Sequence, residues 1–200
     1  MPPSETFGRI VVNHSGKALD VAGASTQNGA LLVQSHVANG ASQLFRFEPM
    51  DGAPEVFRIV NKNSGKVVVL GSGTPPPAIQ QERRDDVAQG FRARFKGKSF
   101  YLVFQGFSFG DTVLDVFGGS QDDGAQVIGY PLKTTNETNQ LWKFLPDKAP
   151  DHGGGDLGAC ITCNNRPPGQ PRCSGFVGNP VNGATKCGQS FCRHPASKHS

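Results

Sequence analysis

Cysteine is missing from most of this chain. The first 159 of its 200 residues contain none, and all five cysteines fall between Cys160 and Cys192. Whatever folds ahead of them does so without a disulfide or a thiolate-bound metal. Long apolar runs are missing too. Nothing approaches the roughly 18 consecutive apolar residues of a membrane-spanning helix, which excludes a helical span. The opening MPPSETFGRI has neither the basic nor the apolar region of a secretion signal; a cytoplasmic location is expected, with unconventional export left open. An excess of one charge sign is also lacking. Residues 1–146 hold 14 Lys and Arg against 13 Asp and Glu, and residues 147–200 hold 6 against 3. A near-neutral body has no basic stripe for phosphates, so nucleic acid is not the expected partner. Methionine (2) and tryptophan (1) are scarce, whereas glycine (26), proline (15) and phenylalanine (14) are abundant. That balance describes a turn-rich all-β chain.

Internal repetition is what the chain has instead. Residues 7–47, 57–95 and 100–144 carry the same order of features. Each copy opens on an alternating run (Ile10 and Val12; Phe57 and Ile59; Tyr101 and Val103), followed by a turn that in the first two copies is rich in Asn, Ser and Gly. A second short strand follows: Ala18-Leu19-Asp20-Val21, Val67-Val68-Val69-Leu70 or Val113-Leu114-Asp115-Val116. Third strands are expected at Leu31-Leu32-Val33-Gln34 and Gln126-Val127-Ile128-Gly129, whereas Pro75-Pro76-Pro77 breaks the third segment of copy two. The copies close on Gln43-Leu44-Phe45, Gln89-Gly90-Phe91 and Gln140-Leu141-Trp142, spaced by 46 and 51 residues. Aromatics two apart on a strand share a face, so Phe45 with Phe47 and Trp142 with Phe144 are expected in one core. One copy cannot bury that face alone. Three can, and a closed barrel also removes exposed sheet edges.

Three Gln-x-aromatic endings, in register with the Leu-Asp-Val strand, resemble the repeats of the ricin B-type lectin family. The resemblance covers residues 7–146 and implies a β-trefoil. It also implies glycans or glycoproteins as partners, galactose-type or N-acetylgalactosamine-type sugars as ligands, and no cofactor for this domain. With no cysteine in the body and no secretion signal, the chain is more similar to cytoplasmic fungal members than to secreted plant toxins.

A sugar offers hydroxyls that donate well to a carboxylate and an apolar face that packs on an aromatic ring. Copy three has that full set: Asp115 as acceptor, Tyr130 as stacking ring, Asn139 and Gln140 as amides, and Gly118 where a backbone N–H can approach a ligand. Taken alone, Asp115 reads first as a turn-capping residue after a strand, and the surrounding set with the resemblance reverses that reading. The resemblance places these positions at the sugar, with Gln140 bracing the aspartate, and leaves Trp142 to the core. Copy one has Asp20, His36, Asn39 and Gln43, with Ser42 in place of an asparagine. A shift of one residue would put Ser35 or Val37 in the aromatic position instead of His36. Copy two has Val69 in place of the aspartate and is expected to be structural. No nucleophile–base motif is present, and Asp20 and Asp115 fall in separate copies, so no enzyme is expected. The alternative function is a protein-binding module such as a protease inhibitor, acting through surface loops that include Pro75–Pro77.

Residues 1–6 read as a terminal tail, 147–159 as a flexible linker and 160–200 as a cysteine-rich segment with its own prospective protein partner. With thiols kept reduced, four ligands suited to tetrahedral zinc are expected at Cys160, Cys163, Cys187 and Cys192, with Cys173 and His194 as alternates. A disordered Pro/Gly-rich tail with free thiols is the competing reading of the same residues.

Overall fold

The computed structural model describes residues 6–147 apart from residues 85 and 107–109 and the side chains of Pro54 and Val87. Residues 1–5, most of the expected linker and the metal-ligand candidates Cys160, Cys163, Cys173, Cys187, Cys192 and His194 lie outside the described residues.

Each copy becomes four strands. Repeat one has β1 (Gly8–Val12), β2 (Ala18–Val21), β3 (Leu32–Ser35) and β4 (Phe45–Met50). Repeat two has β5 (Ala53–Asn61), β6 (Val67–Leu70), β7 (Ala78–Gln81) and β8 (Phe91–Lys96). Repeat three has β9 (Ser99–Phe104), β10 (Thr112–Val116), β11 (Val127–Pro131) and β12 (Trp142–Pro146). The first and last strands of the repeats pair in a ring, β1–β4–β5–β8–β9–β12 and back to β1, all antiparallel. The middle strands form hairpins β2–β3, β6–β7 and β10–β11. A six-stranded barrel capped by three hairpins is a β-trefoil.

Equivalent positions meet in the core. Ile10, Ile59 and Leu102 are fully buried, as are Phe45, Phe91 and Trp142, the aromatics of the three Gln-x-aromatic endings. The Trp142 indole N–H donates to the Leu114 carbonyl at 3.1 Å, so the one tryptophan is a core residue with its polar atom satisfied. Phe47 is buried, and Phe144 is partly buried against the same cluster. Phe95, the matching residue of repeat two, is 54% exposed, although its ring still meets Phe100 at 5.9 Å.

The hairpins interlock in a cycle. Leu31 of repeat one bridges Ile79 of repeat two, Pro77 of repeat two bridges Ile128 of repeat three, and Gln126 of repeat three bridges Val33 of repeat one. One residue beyond each receiving position lies Gln80, Gly129 or Gln34, whose backbone N–H donates to the Ala30, Pro76 or Ala125 carbonyl. Gln34 and Gln80 are fully buried, and each amide donates to two carbonyls of a neighbouring turn, Ser120 and Asp122 or Ser25 and Gln27. The triple proline thus does not abolish the third strand of repeat two. It shortens the hairpin loop, and β7 starts at Ala78 directly after it. A proline before the strand removes no ladder hydrogen bond that β7 needs.

Candidate functional site

The glutamine of each closing triplet makes the same clamp. Gln43, Gln89 and Gln140 each accept from a backbone N–H (Ala38, Arg84, Lys133) and donate to a carbonyl two residues earlier (His36, Glu82, Pro131). In repeats one and three the same amide also reaches the strand aspartate, Gln43 to Asp20 at 3.0 Å and Gln140 to Asp115 at 2.9 Å. Gln140 therefore braces the carboxylate and is fully buried.

Repeat three brings the largest set together. Asp115 sits near the end of β10, opposite Ile128, and Tyr130 lies two residues further along β11 on the same face of the hairpin. Asp115 is only 1% exposed, and its oxygens accept from Asn139 at 2.7 Å, Gln140 at 2.9 Å and the Lys133 ammonium at 2.7 Å. Burial pushes the carboxyl above its ordinary value, and the Lys133 and Gln140 contacts pull it part of the way back. Asn139 is buried at the end of a 3-10 turn, Glu137–Asn139, and also donates to the Val116 carbonyl at 2.9 Å. Tyr130 is 43% exposed, with the Lys133 ammonium 5.2 Å from its ring centroid. Gly118 has a φ of 64° in the 3-10 turn Phe117–Gly119, a conformation that strains other residues, and open space where a side chain would be.

Above this network lies a cleft of about 370 Å³, lined by His14, Gly118, Gly119, Gln121, Lys133, Asn136, Thr138 and Asn139. His14 arrives from the first turn of repeat one. Its Nε2 lies 2.7 Å from the Ser120 carbonyl oxygen, so Nε2 carries the proton, while Nδ1 is buried without a hydrogen-bond partner among the described residues. Sequence reasoning missed Lys133 and His14 as site residues. Lys133 stands in the stretch between Tyr130 and Asn139, but the position of its ammonium over Asp115 is a tertiary fact. The approach of His14 depends wholly on closure of the ring.

Repeat one keeps its Asp20–Gln43 pair but sends its other candidates elsewhere. Asp20 Oδ1 is buried with no hydrogen-bond partner among the described residues. Asp20 pairs with Val33 as Asp115 pairs with Ile128, which makes Ser35, not His36, the counterpart of Tyr130. The His36 side chain is 83% exposed and bonds Asp123 of repeat three at 2.6 Å, where Lys17 also arrives at 2.6 Å. These two contacts hold the Asp123 carboxyl at about 2. Asn39 accepts from Arg9 at 3.3 Å. In repeat two Val69 packs with Val60, Val67 and Ile79 as a small apolar cluster.

Residues 4–82 match the family described as ricin-type beta-trefoil lectin domain-like. The designed threefold-symmetric protein ThreeFoil is 30% identical, over 70% of this chain and 99% of its own, with a TM-score of 0.63. The chain belongs to the ricin-type β-trefoil lectin-like family. Two fungal proteins share the fold at lower identity. The Rhizoctonia solani agglutinin is 18% identical over 74% of this chain and 99% of its own, with a TM-score of 0.64. A ricin B-like lectin of Macrolepiota procera, solved with lactose, is 14% identical over 74% of this chain and 99% of its own, with a TM-score of 0.57. No curated protein matches the chain. Within this ricin-type trefoil, no helix of the described residues is long and apolar enough to cross a membrane.

Proposed function

We propose that the chain is a carbohydrate-binding lectin and not an enzyme, taking galactose-type or N-acetylgalactosamine-type glycans and glycoproteins, with its principal site in repeat three. The observation that carries this reading is the cleft beside Asp115, Asn139 and Tyr130. It is a polar hollow of monosaccharide scale over a carboxylate–amide floor, and the half-exposed Tyr130 ring, which does not line it, lies 5.2 Å from the ammonium of Lys133, which does. Two lectins of the same fold were solved with such sugars: the Macrolepiota procera lectin with lactose, and the C-half of an earthworm R-type lectin with GalNAc. In repeat one the unpartnered Asp20 oxygen supports a second, weaker site. The protein-binding alternative loses ground because the Pro75–Pro77 segment is engaged in closing the cap.

A glycan array with the wild type, Asp115→Ala and Asp20→Ala tests the assignment. Single-site affinity is expected near millimolar, roughly −4 kcal/mol, and display on a dense surface raises the apparent affinity through avidity. Asp115→Ala should remove most of the signal and Asp20→Ala a smaller part, each checked for folding by thermal unfolding. Binding that survives both substitutions sinks the pocket assignment.

For the cysteine-rich segment we propose a structural zinc held by Cys160, Cys163, Cys187 and Cys192, with a cytoplasmic location that keeps these thiols reduced. Elemental analysis of purified protein should find roughly one zinc per chain. Metal-free protein with all five cysteines titratable as thiols would overturn it.

A further inference from the structure

The charge that faces the repeat-three cleft is not the charge of Asp115. The carboxylate lies beneath the cleft, does not line it, and is already met by three donors, one of them an ammonium. None of the eight lining residues carries a carboxylate. The wall offers the Lys133 ammonium, the His14 imidazole, the amides of Gln121, Asn136 and Asn139, the Thr138 hydroxyl and two glycines. An ammonium has three N–H donors. Two of those of Lys133 go to Asp115 Oδ2 at 2.7 Å and Asn139 Oδ1 at 3.1 Å, and the side chain keeps 30% of its surface exposed.

Two kinds of ligand therefore meet this cleft differently. A neutral hydroxyl that seeks Asp115 Oδ2 must displace an ammonium, exchanging a bond between two opposite charges for one in which only the acceptor is charged. An anionic substituent can approach the remaining N–H of Lys133 from the cleft side and leave the Asp115 network intact. Asn136 and Thr138, both exposed on the rim, would supply further donors to it. Resting on the carbohydrate reading of this cleft, we infer that repeat three selects acidic saccharides, those bearing a sulfate or a sugar carboxylate, and that Lys133 is the residue that determines this specificity.

The test compares lactose, sulfated lactose and sialylated lactose by calorimetry, in an Asp20→Ala background so that repeat three alone reports. The acidic probes should bind about tenfold tighter than lactose, the order expected of one hydrogen bond to a charged group. The preference should weaken with added salt. Lys133→Gln, similar in length but uncharged, should abolish the preference while the variant still unfolds in one cooperative transition above the assay temperature, its midpoint lowered by loss of the Asp115 ion pair. Lys133→Arg should restore part of the preference. Lactose bound as tightly as the acidic probes, or a preference that survives Lys133→Gln, overturns the selectivity and leaves the lectin reading standing. Failure of all three probes to bind overturns both.

Discussion

Gly129→Gln is expected to destabilise the trefoil by about 3–5 kcal/mol, even though glutamine is the residue at the equivalent position of repeats one and two. In those repeats the buried amide holds two carbonyls of a ten-residue hairpin loop next door. The neighbour that Gly129 faces is the shorter loop of repeat two, in which Pro76 accepts the Gly129 N–H at 2.8 Å. A Cβ at Gly129 would overlap the end of Leu70 and press on Pro76 Cγ and Thr112 Cγ2, each at 3.1 Å. Steric insertion of that kind costs about 1–3 kcal/mol, and a buried amide without its acceptors adds about 1–3 more. Urea denaturation with the midpoint and slope both fitted would measure it. A variant as stable as the wild type would show that the interlock around Gly129 is loose. Gly129→Ala, which adds only the Cβ, should fall between the two.

The same position shows what the sequence discloses and what it hides. The fold was legible because period-2 strands, Asn/Ser/Gly turns and three Gln-x-aromatic endings repeat at spacings of 46 and 51 residues, and those signals are local. Trp142 as core followed from the same pattern, and Gln140 as brace from the family resemblance that the pattern carries. The strand after Pro75–Pro77 was hidden, since proline reads locally as a breaker and only the neighbouring hairpin shows why this one is useful. His36 was assigned one residue away from the true counterpart of Tyr130, because register in a short hairpin is fixed by pairing, not by composition. The cleft was the least legible feature. Of its lining residues, Gly118 and Asn139 were named in advance, whereas His14 comes from another repeat and Lys133 matters through an ammonium whose partners are reached only on folding.

Asp115→Ala should cost about 3 kcal/mol of stability, toward the low end of the range for breaking a buried ion pair, because half-buried Lys133 can turn its ammonium to water. Asn139 and Gln140 lose an acceptor each but keep the Val116 and Pro131 carbonyls, which limits the damage further. Asp115→Asn keeps the volume and isolates the charge, and its dependence on pH decides which force governs the carboxyl. Burial raises the folded value above the 3.8 of an unperturbed aspartate, against the pull of Lys133 and Gln140. A folded value that is raised means the native state holds the proton longer than the unfolded chain. The associated stability is complete below 3.8 and is lost as pH rises through the folded value. Asp123 runs the other way: with its carboxyl held at about 2, its contribution is present above 3.8 and is lost as pH falls. Glu82 and Glu137, lowered first by their hydrogen bonds to Lys66 and Lys96, follow Asp123. Acid unfolding of the wild type should therefore be driven by those surface carboxylates and opposed by Asp115. Thermal unfolding of wild type and Asp115→Asn between about pH 3 and 7 reads the difference directly. The advantage of wild type over the variant should shrink as pH rises from 3.8 and then level off. An advantage that grows with pH would mean that Lys133 outweighs burial at this site, and that the ion pair, rather than its desolvation, sets the state of the carboxylate beneath the cleft.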